Sequence, residues 1–157
     1  MQTNALFYKI HKRTVSTEDY VNWSHNLIEN DVSSPSVDII SSFSFGENIF
    51  EVEVYFNRAL NELEIHKPTF EMCARAYIGD LANKIIQANN DSVTFDLAYM
   101  IFWIVSDLHY PDDLIWWYEI SEMIDELRYG DIPTEFNIDG VISRIKNEAN
   151  NFWVNDM

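Results

Sequence analysis

Apolar positions recur at intervals of three and four along most of the chain, the spacing of one buried face of an α-helix. Ser16 or Thr17 can cap a helix running to about Asn30, with Tyr20, Trp23 and Leu27 on one face and Glu18, Asn22, Asn26 and Glu29 on the other. Ser34 followed by Pro35 is a cap with proline at the first helical position, and it opens a short helix with Val37, Ile40 and Phe43 inward. Residues 50–56 carry a competing pattern, because Phe50, Val52, Val54 and Phe56 alternate with Glu51, Glu53 and Tyr55 as in a strand. Over a longer window Ile49, Val52, Phe56, Ala59, Leu60 and Leu63 occupy one arc of a helical wheel. A strand register leaves the last three unexplained, so the longer pattern predicts a helix over about 48–64.

Pro68 closes that segment, and Phe70, Cys73, Tyr77, Leu81 and Ile85 predict a helix from Thr69 to Ala88. Asn89-Asn90-Asp91-Ser92 is a turn with a ready cap. Val93 to Leu108 is apolar on almost every side, as expected of a helix surrounded by others. After Pro111, Asp112 to Arg128 reads as one long helix that buries Trp116, Trp117, Ile120, Met123, Ile124 and Leu127 and ends at Gly130, a C′ glycine. Ile132 to Asp139 reads as a loop, and Val141, Ile145, Ala149 and Phe152 mark a last helix. Residues 1–13 read as a short lead-in. The prediction is an all-α single domain over 1–157, with about seven helices in an irregular bundle or as stacked helical hairpins without a sequence period.

Composition supports a packed domain. Apolar residues make up 47% of the chain with only four Gly and four Pro, which excludes a disordered tail and a turn-rich β-sandwich. The one cysteine, Cys73, lies in an apolar helical pattern and reads as buried filler. Residues 1–13 lack the apolar core of a signal peptide, and the longest apolar run, Leu97 to Val105, is half a membrane span. The expectation is a cytoplasmic protein without membrane contact. No P-loop, GxGxxG or GxSxG occurs, so no cofactor is expected.

Metal chemistry finds little material. Helix-borne di-iron sites need Glu-x-x-His pairs, and none occurs. Glu62 and His66 read as a surface pair near a helix end, and Asp107, His109, Asp112 and Asp113 as helix-end punctuation around Pro111. No metal site is expected. The enzyme alternative rests on Glu119-Ile-Ser-Glu122 and the overlapping Glu122-Met-Ile-Asp125, whose carboxylates share a helix face and can hold Mg²⁺. In this it resembles all-α nucleotide pyrophosphohydrolases, but those enzymes place a second acidic pair on a facing helix, with Lys or Arg nearby for phosphate.

Charge changes the picture more. With 26 acidic and 10 basic residues the formal net charge is −16, a field that repels nucleic acid and attracts cationic proteins. Residues 14–57 hold eight acidic residues and no Lys or Arg, and residues 85–127 hold nine and again none. Like charges at helical spacing repel by a few tenths of a kcal/mol each, so such stretches carry a cost. On the helix after Pro111, Asp112, Glu119, Glu122, Asp125 and Glu126 lie opposite the apolar arc with Ile115 and Tyr118 among them. Carboxylates that steer and apolar groups that anchor suit a basic protein partner. Glu51 and Glu62 on the 48–64 helix form a second candidate surface.

In size, acidity and overall character the whole chain resembles the immunity proteins of bacterial toxin–immunity systems, including those of contact-dependent growth inhibition. That resemblance implies a small cytosolic protein that binds one cognate toxin, frequently a basic nuclease, and blocks its active site or substrate surface. It implies no catalysis. A helical scaffold or adaptor with the same surface features is a further alternative.

Overall fold

The computed structural model describes residues 1–130 and 137–155, and among them every regular element is helical. The contacts divide the chain into two compact units, residues 1–77 and 78–157, with the boundary inside one continuous helix.

The first unit contains α1 (Thr3–His11), α2 (Thr17–Glu29), α3 (Pro35–Ser41), α4 (Ile49–Glu62) and the first half of α5 (Phe70–Gln87). The lead-in expected at residues 1–13 is therefore itself a helix, and it buries Ala5, Leu6, Phe7 and Tyr8. Its apolar run was too short to show a full period beside the basic residues that follow. Ser16 caps α2 with a reciprocal box, its side chain accepting from Asp19 N while the Asp19 carboxylate accepts from Ser16 N at 2.9 Å. Ser34 caps α3, and Asn48 caps α4 by accepting from Phe50 N at 2.9 Å. The helix predicted over 48–64 is present, and Val52, Phe56 and Ala59 form its buried edge. Phe56 is the centre of the core, with ring centroids 4.9 Å from Tyr20, 5.0 Å from Trp23 and 5.8 Å from Phe7. The Trp23 indole N–H donates to Thr3 Oγ1 at 3.0 Å, so the largest core side chain is buried with its polar atom satisfied. Cys73 is buried, as its apolar surroundings predict.

The second unit contains the rest of α5, α6 (Asp91–Asp107), a 3₁₀ turn (Asp112–Leu114), α7 (Trp116–Tyr129) and α8 (Ile138–Asn155). α6, α7 and α8 pack on one another. Ile101, Ile104 and Val105 of α6, Trp117, Ile120 and Ile124 of α7, and Val141, Ile145 and Ala149 of α8 are buried between them. Close approach to the α8 end requires Gly79 on α5, where a Cβ would lie 3.2 Å from the Phe152 ring. The loop expected over 132–139 falls for the most part outside the described residues, although α8 begins at Ile138. None of the described helices is long and apolar enough to cross a membrane.

Three expectations for this unit change. α6 is not surrounded: Val93, Met100 and Trp103 are exposed, Trp103 by 61%. An all-round apolar pattern looks the same whether the outer face meets protein or stands open. The long helix after Pro111 begins as a 3₁₀ turn, and Trp116 at its junction is exposed and lies under the Arg144 guanidinium, 4.6 Å from the ring centre. Gly130 ends α7 with φ −70°, not in the left-handed region. Glycine is needed there because a Cβ would sit 2.5 Å from the Glu126 carbonyl oxygen.

The left-handed positions instead belong to residues with side chains. α1, α2, α4 and α6 are followed by Arg13, Asp31, Glu64 and His109, with φ between 55° and 61°, and Tyr110 follows at 57°. Each of the four closes the same turn, with bonds such as Ile65 N to Leu60 O at 2.9 Å and Tyr110 N to Val105 O at 3.0 Å.

Candidate functional site

The facing surfaces of α6 and α7 form a ladder. Arg128 donates to Asp96 at 3.0 Å, Tyr99 O–H reaches both Asp125 oxygens at 3.0 Å, and the Phe102 ring lies 6.0 Å from that of Tyr118. The rising numbers on one helix meet falling numbers on the other, so the helices run antiparallel. Their outer edges then lie side by side over three turns. Beside the ladder is a groove of about 440 Å³ lined by Asp96, Tyr99, Met100, Trp103, Asp125, Arg128 and Tyr129.

Aromatic rings continue along the surface. Trp103 packs on Tyr99 and Phe102, and Tyr110 stands edge-on to Tyr118 with centroids 5.8 Å apart. Tyr110 reaches that position through two consecutive left-handed residues immediately before Pro111, where the residue before a proline ordinarily takes an extended conformation. Strained backbone of this kind persists only where surrounding structure imposes it. Burial and then the Asp125 hydrogen bond hold the Tyr99 phenol above its ordinary pKa, so it remains a donor to that carboxylate.

Of the residues singled out on the helix after Pro111, Tyr118 and Asp125 meet α6 directly. Asp112, Ile115, Tyr118, Glu119, Glu122 and Glu126 are exposed, and Asp125 is half-buried against Tyr99. Ile115, Tyr118, Glu122 and Asp125 follow one another at spacings of three or four, one stripe along α7 and the turn before it. Basic residues do little to neutralise them. Arg128 pairs with Asp96, Arg144 lies on Trp116, and Lys146 donates to the Ala88 carbonyl at 2.8 Å. Asp112, Glu119 and Glu122 have no ion-pair partner among the described residues.

The second candidate surface divides. Glu51 is exposed in the first turn of α4. Glu62 is engaged within its own unit, accepting from Ser36 N at 2.9 Å and Ser36 Oγ at 2.5 Å at the start of α3. The Ser36 hydroxyl and amide are the main reason its pKa falls below the usual glutamate value. His66 is not part of this arrangement, and among the described residues no three His, Cys, Asp or Glu side chains gather as a metal site.

The aromatic half of the α6–α7 face was missed in the sequence. Tyr99, Met100 and Trp103 were assigned to a surrounded helix. The signal was present: Asp96 and Asp107 are eleven residues apart, within about 20° on a wheel, and Tyr99, Met100 and Trp103 all lie within about 60° of Asp96. Two carboxylates on one arc of an otherwise apolar helix mark that arc as its open side.

Comparison with protein-family models, with curated proteins and with solved structures finds no match to this chain.

Proposed function

We propose that the chain is an immunity-type inhibitor: it binds a basic protein toxin, of the nuclease class, and covers its active or substrate-binding surface with the α6–α7 face. The observation that carries this reading is the joint placement of exposed Trp103, Tyr110, Tyr118 and Tyr129 with carboxylates that no base neutralises. Aromatic side chains supply most of the binding energy in protein interfaces, and surrounding charges set the rate of encounter and the choice of partner. The Lys and Arg that a nuclease uses to hold phosphate would meet Asp112, Glu119 and Glu122 instead. Inhibition works by occlusion and needs neither cofactor nor metal.

The reading requires a partner gene, a large secreted protein with a variable C-terminal domain in the adjacent reading frame. The purified C-terminal domain should bind the full chain and lose its nuclease activity in a stoichiometric complex. A domain that stays active with the chain in excess, or a neighbouring frame with no such protein, overturns the reading.

A further inference from the structure

The first unit contains a cavity of about 600 Å³ between α1, α2, α4 and the segment after α4, a size typical of small-molecule sites. Its apolar wall includes Phe7, Phe56 and Ile65. Its polar wall comprises His11, Tyr20, Glu53, Asn57, Asn61 and Lys67, and none of these six side chains has a hydrogen bond or ion pair among the described residues. Tyr20 belongs to the wall as well: its ring is packed in the core, and its hydroxyl makes no hydrogen bond to protein among the described residues. The phenol is therefore a polar group free to donate to whatever the cavity receives. Burial, and then the Glu53 and Asp19 charges, keep it protonated as a donor.

The polar wall is ordered by charge. Glu53, Asn57 and Asn61 follow at four-residue intervals on one stripe of α4, about 6 Å per step and about 12 Å in all. Lys67 lies beyond the end of α4. The His11 ring packs edge-on against Phe70, 5.6 Å away and three residues past Lys67, so both bases belong to that end. The sequence along the cavity is thus carboxylate, two carboxamides, then the ammonium of Lys67 beside the His11 ring, over an apolar floor. Each matches a part of one molecule: an ammonium for Glu53, a peptide group for the asparagines, a carboxylate for Lys67 and His11.

We propose that this cavity binds a short zwitterionic peptide with apolar side chains, its amino end at Glu53 and Tyr20 and its carboxylate at Lys67 and His11. The site lies in a different unit from the α6–α7 face, and its occupancy is tested without any protein partner.

The probe is the dipeptide leucyl-phenylalanine titrated into the full chain, followed by amide chemical shifts and calorimetry. The controls are the same dipeptide acetylated and amidated, and glycylglycine. Leucyl-phenylalanine should shift the amides around Tyr20, Asn57 and Lys67, and each control should bind at least about tenfold more weakly. The exposed Lys67→Met and the half-buried Glu53→Gln replace groups without protein partners, so the fold is retained, and each should weaken binding about tenfold. No shift at millimolar dipeptide, equal binding of the blocked peptide, or unchanged affinity in both variants overturns the proposal.

Discussion

In residues 14–57 the carboxylates that make hydrogen bonds serve their own chain: Asp19 holds Lys9 at 2.8 Å and closes the α2 capping box, and Asp38 takes the Ser33 hydroxyl at 2.5 Å. In residues 85–127 Asp96 and Asp125 tie α6 to α7, while Asp112, Glu119 and Glu122 remain without a cation beside exposed aromatic rings. Both stretches lack Lys and Arg, so sequence composition treats them alike. The difference lies in what else shares the surface. A base from outside folds back onto each stretch, Lys9 onto Asp19 and Arg128 onto Asp96; in the second, Trp103, Tyr110 and Tyr118 stand open within a run of ring-to-ring contacts, whereas Phe45 and Phe50 of the first are exposed singly. A charge run alone therefore does not identify an interface; a charge run beside a connected cluster of exposed aromatic rings is a far narrower condition.

The strongest test is charge reversal in each stretch. Replacing Asp112, Glu119 and Glu122 together by Lys should slow association with the basic partner about 10–100-fold at low salt, with the difference shrinking as salt rises. The same reversal of Glu18, Glu29 and Glu51 should change the rate far less, because Phe45 and Phe50, the exposed rings of that stretch, stand singly and form no cluster of anchors. Stopped-flow association at two salt concentrations separates them, and equal slowing by both triples would reduce the contrast to net charge.

Trp103→Ala tests the anchor itself. The complex should weaken by about 2 kcal/mol, mainly through faster dissociation. Stability of the free chain should stay within about 0.5 kcal/mol, since the side chain is mostly in solvent. A large loss of stability with unchanged binding would make Trp103 a structural residue.

How far the sequence could reach follows from the same particulars. The α4 helix was legible because fifteen residues of period outweigh seven residues of alternation, and the Ser34-Pro35 start because cap and proline are local signals. The four left-handed helix ends were not, since the sequence marker for them is glycine and here they are Arg13, Asp31, Glu64 and His109. Most of the candidate face on α7 could be placed from a wheel. The aromatic half on α6 was passed over, because an almost wholly apolar string hides the one arc that Asp96 and Asp107 mark as open. Glu62 reads as a surface charge in sequence, and only the return of Ser36, 26 residues away, shows its work.

The internal role of the first stretch predicts a pH dependence. Burial would raise the Asp19 pKa, but hydrogen bonds from Lys9 and Ser16 outweigh it and hold the group below the usual aspartate value. A lowered folded-state pKa stabilises the fold fully above the unfolded value of about 4, and the contribution is lost as pH falls through the folded value. Asp19→Asn should therefore cost about 1–2 kcal/mol at neutral pH and less in acid, where wild type and variant converge. Urea unfolding from neutrality downward reads this directly, and a constant gap would assign the loss to packing.

The smallest effect is the sharpest comparison, because one substitution can be made in both regions. Glu64 after α4 and His109 after α6 occupy the same left-handed position in the same turn. A side chain there costs about 1 kcal/mol, and glycine removes that strain while widening the unfolded ensemble. Glu64→Gly and His109→Gly should each raise stability by about 0.5–1 kcal/mol, measured as a shift in the urea midpoint. Only His109→Gly should also affect the partner, since it loosens the backbone that sets Tyr110 against Tyr118. Faster dissociation in that variant alone would place the strained turn within the binding surface. Identical binding by both would make the turn a helix end like the other three, and leave Trp103 and the carboxylates of α7 to carry the interface.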